Sequence, residues 1–150
     1  YIPGYQTPPP GPKFAPVALA VALYGYAINP GDFVADHEFA HTFGANHNPD
    51  HEPRNPTPIE PWAFGHWARH LDGDVAYGLR SIMSYPEECE AVVNPCSRIL
   101  YYSNPNVIVD DWFHTGIANQ QENARLIAEI APIQAQYRAS VGRIFADGFE

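Results

Sequence analysis

The longest run of apolar residues, Ala15–Ile28, lies between a proline-rich lead-in (residues 1–14) and the turn sequence NPG at residues 29–31. Its length and the turn residues on both sides favour a buried β-strand at about Val17–Ile28. The run is shorter than the roughly 20 residues that a membrane-spanning helix needs. The core of a signal peptide, with Lys13 in front of it, is the alternative that this pattern leaves open.

A helical pattern follows this turn. Asp32 can cap a helix that begins at Phe33, with Phe33, Ala40 and Phe43 as apolar contacts. Gly44 is expected to end that helix, because glycine readily adopts the backbone conformation of a helix C-terminus.

The middle of the chain is predicted to be largely irregular. Five of the sixteen prolines fall in residues 48–61, which are therefore not expected to form regular structure. Short strands and turns are expected at residues 62–110.

A second helix is predicted to open at Asn119. Glu122 follows three residues later, as in a capping box. Apolar residues then recur at helical spacing, namely Ala124, Ile127, Ala128 and Ala131. Pro132 is expected to kink or end this helix, and any continuation reaches about Val141.

The composition indicates an ordinary globular protein. Of the 150 residues, 45% are hydrophobic and 17% are charged, which suits one folded domain, predicted at residues 15–142. The formal net charge of −9 argues against nucleic acid and anionic membranes as partners. The last eight residues, 143–150, are interpreted as a tail that resembles short tails of some bacterial secreted proteins.

The two cysteines, Cys89 and Cys96, are close enough in the chain to close a small loop by a disulfide. A disulfide is typical of secreted proteins. Two free thiols in a cytosolic protein are the alternative.

Residues 37–47 read HEFAHTFGANH and hold three of the seven histidines. On an α-helix, His37 and His41 lie about one turn apart on one face, where both imidazoles can reach one ion. A catalytic zinc site calls for a third protein ligand and a position for water. His47 is the candidate, but a straight helix would carry it about 15 Å along the axis. The chain must therefore turn back, and Gly44 stands where that reversal is needed.

Glu38 follows the first of these histidines directly. A carboxylate there can accept a proton from a water activated by zinc and can return it to a leaving amine. HExxH alone is a moderately specific pattern. The added Gly44 and His47 fix five positions, an arrangement that rarely arises by chance.

His66 and His70 also stand four residues apart, with Asp72 or Asp74 as a candidate third ligand. No glutamate follows His66, and the neighbouring glycines indicate a turn rather than a helix, so a second metal site is disfavoured. Three further residues carry weaker signals: Asp50 and His51 are expected to be solvated, and His114 is uninformative.

The extended motif HExxHxxGxxH resembles that of the metzincin metallopeptidases and is present in full. The same family has a tight turn with a methionine beneath the metal, and SIMSY at residues 81–85 is similar to it. The resemblance implies that Met83 supports the three histidines without binding zinc; an ordinary core methionine is the alternative. In the astacin and serralysin branches, a tyrosine at the position of Tyr85 can bind zinc or stabilise the oxyanion.

Two other stretches, YSNPNV (102–107) and ENARLI (122–127), resemble bacterial reprolysin-like metallopeptidases, whereas Asn48 does not settle the branch. The resemblance implies an α+β fold with a zinc helix, a methionine turn and a C-terminal helix. Only 36 residues precede His37, so most of the upper sheet of the family would be missing. Either the chain is a fragment or its upper wall is reduced. The strand at Val17–Ile28 would then pair with an extended substrate.

These features predict a secreted zinc endopeptidase with one catalytic Zn²⁺ and with protein or peptide substrates. Glu38 is predicted to be the general base. Two alternatives are a non-catalytic zinc-binding fragment and a binding module built on an inactive peptidase. The intact Glu38 argues against the second, and the sequence leaves the oligomeric state open.

Overall fold

A computed structural model of the chain describes residues 33–51 and 59–135. The predicted lead-in, the strand at Val17–Ile28, the cap at Asp32 and the C-terminal tail lie outside the described residues. Within the described ranges the elements are, in order, α1 (Val34–Thr42), β1 (Trp67–Asp72), β2 (Val75–Arg80), α2 (Pro86–Glu90), β3 (Cys96–Arg98), β4 (Ile108–Val109), β5 (Phe113–His114) and α3 (Asn123–Gln134). This mixture of helix and sheet agrees with the predicted α+β class.

Strands β1 and β2 form an antiparallel hairpin, in register from Trp67 opposite Arg80 to Asp72 opposite Val75. Strand β3 pairs with β2 in parallel, so that Arg98 lies opposite Arg80. Within residues 59–135 the strand order is β1-β2-β3, and β4 and β5 form a separate antiparallel pair. The prediction of short strands and turns in this region is confirmed; the short helix α2 was not predicted.

One apolar cluster fixes α1 against α3 and against the turn that follows β2. Its members are buried: Ala40, Phe43, Ala45, Trp62, Ala63, Ile82, Met83, Leu126 and Ile130. Complete burial of a side chain such as Leu126 stabilises the fold by about 1.5–3 kcal/mol. Because Ala40 and Met83 share this cluster, the helix and the turn are held in one relative position.

Helix α1 begins one residue later than predicted. Phe33 stands at the N-cap with φ 48°, a left-handed backbone conformation, and makes no side-chain capping hydrogen bond. The helix ends at Thr42, and Gly44 follows at the predicted end.

The prediction that the last helix opens at Asn119 is wrong: α3 begins at Asn123. Asn119 has φ 59°, which is not helical, and its N–H donates to Oε2 of Glu122 at 2.9 Å. Glu122 therefore closes a turn before the helix instead of capping a helix that starts at Asn119. Pro132 does not end the helix at once, since α3 continues to Gln134. The predicted continuation to Val141 lies outside the described residues.

The buried face of α3 also differs from the predicted apolar face. The buried positions are Asn123, Leu126 and Ile130. Ala128, which was predicted to lie on the apolar face, is exposed, whereas Ile127 and Ala131 pack at the edge of the core. The predicted helical period was therefore correct, but the face that packs into the core is centred on other residues than predicted.

The predicted disulfide is present. Cys89 and Cys96 are bonded, with their Cα atoms 6.0 Å apart, and the bond links α2 to β3. Together with Val93 they form a second, smaller apolar cluster. None of the helices in the described ranges has the length and apolarity needed to cross a lipid bilayer.

Candidate metal centre

The end of α1 reverses the chain. The rings of His37 and His41 lie one helical turn apart, with centroids separated by 4.9 Å. The Gly44 N–H then donates to His41 O at 3.0 Å, and the Ala45 N–H donates to Ala40 O at 3.2 Å. This pair of bonds is the Schellman motif, which ends a helix and sends the chain back across it.

Gly44 satisfies two separate requirements of this turn. Its φ of 92° lies in the region that favours glycine. A Cβ atom at this position would lie 1.8 Å from Cδ1 of Ile59, well inside any allowed contact. Both backbone conformation and space therefore require glycine here.

The segment after the turn is held by backbone hydrogen bonds to the loop before β1. The Asn46 N–H donates to Ala63 O at 2.8 Å, and the Gly65 N–H lies 3.0 Å from both Asn46 O and His47 O. The side-chain amide of Asn123, at the start of α3, donates to Asn46 O at 3.0 Å. These hydrogen bonds hold the backbone of Asn46 and His47 against the loop before β1 and against the start of α3.

The three predicted ligand atoms converge. Nε2 of His47 lies 3.2 Å from Nε2 of His37 and 3.0 Å from Nε2 of His41. Nitrogens bound to one tetrahedral zinc at about 2.0–2.1 Å would be about 3.3–3.4 Å apart. The donor set and its spacing therefore fit one metal ion, and the structure brings together the three histidines as predicted.

Two of the rings are oriented by backbone carbonyl groups. Nδ1 of His37 lies 2.9 Å from Ile82 O, and Nδ1 of His41 lies 2.8 Å from Ala45 O. A carbonyl oxygen only accepts, so each Nδ1 carries the hydrogen and donates it. The lone pair of each ring is then on Nε2, the atom that faces the other histidines.

Burial keeps these ligands neutral. It is the largest cause of the lowered pKa of His37, which is about 4, and the hydrogen bond to Ile82 O opposes it. The charges of His41, Arg98 and Arg80 act in the same direction as burial and contribute less. Burial also lowers the pKa of His41, against the opposing effects of its hydrogen bond to Ala45 O and the charge of Glu38. Neutral imidazole is the form that binds metal, so both rings are ready to bind near pH 7.

Glu38 is half-buried on α1, where it follows His37 in the sequence. Its negative charge acts on the pKa of His41, so the carboxylate lies within electrostatic range of the site. Its role as general base remains a prediction.

Met83 and Tyr85 lie where the chain passes the histidines after β2. Residues 81–84 form a turn closed by a 3.0 Å hydrogen bond from Ser84 N–H to Ser81 O. Met83 is completely buried in the core cluster. The ring of Tyr85 lies edge-on to that of His47, with centroids 4.5 Å apart. The roles implied for Met83 and Tyr85 by the family resemblance remain proposals.

His51 was predicted to be solvated, and this is wrong. It is 3% exposed, and its Nδ1 lies 2.8 Å from Oε1 of Glu88. Burial alone raises the pKa of Glu88, but hydrogen bonds from His51 and Asn48 outweigh it and hold the pKa of that carboxyl below its ordinary value. These partners lie 37 and 40 positions away in the chain, and no local sequence signal connects them. Asp50 is exposed as predicted, and it accepts a hydrogen bond from Trp67 Nε1 at 2.9 Å.

His66 and His70 do not form a metal site in the part of the chain that the structure describes. Strand β1 begins at Trp67, and an extended chain places residues four apart about 13 Å from each other. His66 instead hydrogen-bonds Gln121, and His70 stacks on Trp112 with ring centroids 4.8 Å apart.

The chain is similar to two metalloendopeptidases. It is 31% identical over 104 residues to the peptidyl-Asp metalloendopeptidase of Stenotrophomonas maltophilia strain R551-3. It is 28% identical over 102 residues to the protein of the same name from strain K279a. Each match covers 68% of this chain and 23% of the relative, so the chain spans about a quarter of the length of these relatives. No protein-family model and no solved structure matches the chain. The similarity and the histidine cluster together support a metallopeptidase.

Proposed function

We propose that the chain carries the active site of a secreted zinc endopeptidase of the metzincin type. The observation that carries this proposal is the convergence of three histidine Nε2 atoms with separations of 3.0 and 3.2 Å. His37, His41 and His47 would hold the ion, and three nitrogen ligands are a donor set that suits catalytic zinc. The similarity to metalloendopeptidases supports the same assignment.

A bound zinc ion supplies Lewis acidity, which polarises a carbonyl and brings the deprotonation of water towards neutral pH. In this proposal the Glu38 carboxylate accepts the proton of the attacking water as the new carbon–oxygen bond forms. Glu38 then donates that proton to the amine nitrogen as the peptide bond breaks. The carbonyl hydrogen bonds of His37 and His41 hold both rings in one tautomer throughout.

Tyr85 is proposed to stabilise the substrate oxygen. Its ring lies beside His47 and His37, with centroid distances of 4.5 and 5.7 Å. A phenol O–H is a suitable donor to the negative charge that develops on a carbonyl oxygen. Met83 is proposed to support the site from within the core, where it is completely buried.

We further propose a preference for an acidic residue beside the cleaved bond. The similar proteins from Stenotrophomonas are named peptidyl-Asp metalloendopeptidases. In this chain, the positive charges of Arg98 and Arg80 contribute to the lowered pKa of His37, after the larger effect of burial. Arg80 is held near the site, because its Nη1 donates to Ser84 O at 2.8 Å. Positive charge close to the metal ligands favours a substrate carboxylate.

The disulfide supports the proposal that the protein is secreted. Cys89 and Cys96 are bonded, and such bonds persist mainly in oxidising compartments. The acidic net charge of −9 again argues against nucleic acid as a partner.

The proposed function is tested by metal analysis and by cleavage of casein with and without a chelator. One equivalent of zinc and cleavage that the chelator abolishes are expected. Glu38→Gln should retain the zinc and lose about 10²–10⁴-fold in kcat, because it removes the group that transfers the proton. Glu90→Gln, an exposed position on α2, is the matched control and should cleave at the wild-type rate.

Two results would contradict the proposal. Stoichiometric zinc without chelator-sensitive cleavage would identify a non-catalytic zinc-binding fragment. Full activity in Glu38→Gln would remove Glu38 from the mechanism.

A further inference from the structure

His51 connects Glu88 to the ring of Tyr85. The rings of His51 and Tyr85 are parallel, with centroids 4.1 Å apart and an interplanar angle of 8°. On its polar side, His51 Nδ1 donates to Glu88 Oε1 at 2.8 Å. The His51 side chain is 4% exposed and that of Glu88 is 23% exposed. A stacked ring that is also hydrogen-bonded to a carboxylate has little freedom to rotate.

Tyr85 is enclosed on its other sides as well. Its ring meets that of His47 edge-on, at 4.5 Å and 83°, and that of His37 at 5.7 Å and 84°. Its backbone N–H donates to Asn48 Oδ1 at 2.9 Å. The Tyr85 ring therefore stacks on His51 with one face, and His47 meets both stacked rings edge-on, at 4.5 Å from Tyr85 and 5.3 Å from His51.

Glu88 ties these contacts into a closed set. Its Oε2 accepts a hydrogen bond from Asn48 Nδ2 at 3.3 Å, while its Oε1 accepts one from His51. Both partners of Glu88 thus contact Tyr85, one through its backbone and one through its ring. A displacement of Glu88 would loosen the Tyr85 ring on the face that stacks on His51.

We propose that His51 and Glu88 are positioning residues that hold the Tyr85 ring against the histidine triad, so that its phenol meets the substrate in one orientation. Catalysis by a hydrogen-bond donor depends on such preorganisation, because a donor that must first reorient loses much of its effect. Tyr85 is then a fixed donor rather than a side chain that swings onto the metal. This inference rests on the proposed peptidase function.

The same residues suggest a competing interpretation. His51, Glu87 and Glu88 have ligand atoms within 4.8 Å of one another, as a second cation site would require. The hydrogen bond between His51 and Glu88 already accounts for two of these groups, and Glu87 is exposed. A positioning pair therefore explains the burial of His51 without an ion, and the two interpretations predict different effects of Glu87→Ala.

The position of the Tyr85 ring can be measured without any peptidase assay. The full chain is labelled with 3-fluorotyrosine, and the Tyr85 signal among the nine tyrosines is assigned in the ¹⁹F NMR spectrum by its absence in Tyr85→Phe. Glu88→Ala should shift or broaden this signal in both the zinc-free and the zinc-loaded protein. Glu88→Gln, which keeps an oxygen acceptor for His51, should largely preserve it. Glu87→Ala is the matched control on the same helix and should leave it unchanged.

Kinetics then test the consequence for catalysis. His51→Ala should lower kcat about tenfold with KM nearly unchanged, because misplacement of a donor costs transition-state stabilisation. In a Tyr85→Phe background the same substitution should have no further effect, since both changes remove the same contribution, that of the positioned phenol. Zinc affinity, measured by competition with a chromophoric chelator, should be unchanged in both variants.

The outcomes separate this inference from the proposed function. An unshifted Tyr85 signal in Glu88→Ala overturns the positioning role, whether or not the protein cleaves peptides. Independent losses of kcat in His51→Ala and Tyr85→Phe would also overturn it while leaving the peptidase assignment intact. A second equivalent of zinc that is lost in Glu87→Ala would replace it with a cation site. A wild-type protein that cleaves nothing contradicts the proposed function alone, because the NMR result still decides the position of the ring.

Discussion

Nε2 of His37 and Nε2 of His47 lie 3.2 Å apart, although a continuous helix would separate these two residues by about 15 Å along its axis. The contact exists because the Schellman turn at Gly44 sends the chain back beneath α1. The geometry of the candidate metal site therefore depends on a residue that carries no ligand atom.

Gly44→Ala is expected to damage the site through the backbone. An alanine can keep the φ of 92° only with strain, and its methyl group would lie 1.8 Å from Cδ1 of Ile59. We expect a loss of about 1–3 kcal/mol in the free energy of unfolding. We also expect at least about tenfold weaker zinc binding, because ligand orientation typically changes metal affinity by that amount. Urea unfolding and competition with a chromophoric chelator measure the two effects.

Gly73→Ala provides the control for backbone strain alone. Gly73 has φ 59° in the β1–β2 turn, and an added Cβ there meets nothing within 4 Å. This variant should lose about 1–2 kcal/mol of stability and keep its zinc affinity. Equal zinc affinity in the Gly44 and Gly73 variants would show that the turn does not position His47.

Removal of the metal is expected to lower the melting temperature. Zinc at 100 times its Kd stabilises the folded state by about 2.7 kcal/mol, which corresponds to about 5–10 °C for a domain of this size. His47→Ala should abolish the zinc-dependent shift, because it removes one of three converging nitrogens. His114→Ala alters an exposed histidine outside the cluster and should keep the shift. A zinc-dependent shift that survives in His47→Ala would place the ion elsewhere.

Local periodicity was sufficient to predict the cluster of three histidines. His37 and His41 share a helical face whatever surrounds the helix, and the left-handed preference of glycine marks the turn at Gly44. His47 could then be predicted as the third member of the cluster, because a reversal at Gly44 brings it back towards His37 and His41. All three of these inferences depend only on geometry within eleven residues of the chain.

Contacts between distant segments could not be predicted in this way. Burial of His51 depends on Glu88, which lies 37 residues later on a short helix that has no clear sequence signal. The start of α3 was misplaced for a related reason. Asn119 takes a left-handed conformation, and its N–H donates to the carboxylate of Glu122. The residues of the apparent capping box therefore form a turn instead of the start of a helix.

The disulfide is expected to contribute stability without contributing to the metal site. Cys89 and Cys96 close a short loop, and the chain-entropy model gives about 2–3 kcal/mol for a loop of this length. They belong to an apolar cluster separate from the one that anchors α1. The double variant Cys89→Ala/Cys96→Ala should therefore unfold at lower urea concentration and bind zinc with unchanged affinity. Loss of zinc binding in the folded double variant would contradict this separation.

The proposed preference for acidic substrates is expected to depend on Arg98. Its positive charge acts on His37, and it lies opposite Arg80 in the β2–β3 pair. The measured quantity is the ratio of kcat/KM for a peptide with Asp beside the cleaved bond to kcat/KM for the matching Asn peptide. Arg98→Gln should lower this ratio about tenfold. This is the size expected when a hydrogen bond to a charged group is lost. Wild-type selectivity should also decrease as salt is added, because ions screen a partly exposed pair.

Arg69→Gln is the matched control for this last prediction. Arg69 is an exposed arginine on β1, so its removal changes the net charge by the same amount without altering the arginines of β2 and β3. The ratio of kcat/KM for the Asp and Asn peptides should be that of the wild type. If Arg69→Gln and Arg98→Gln reduced the ratio equally, overall charge rather than a local arginine would set the preference. If neither changed it, the acidic preference would have to be recognised by other residues.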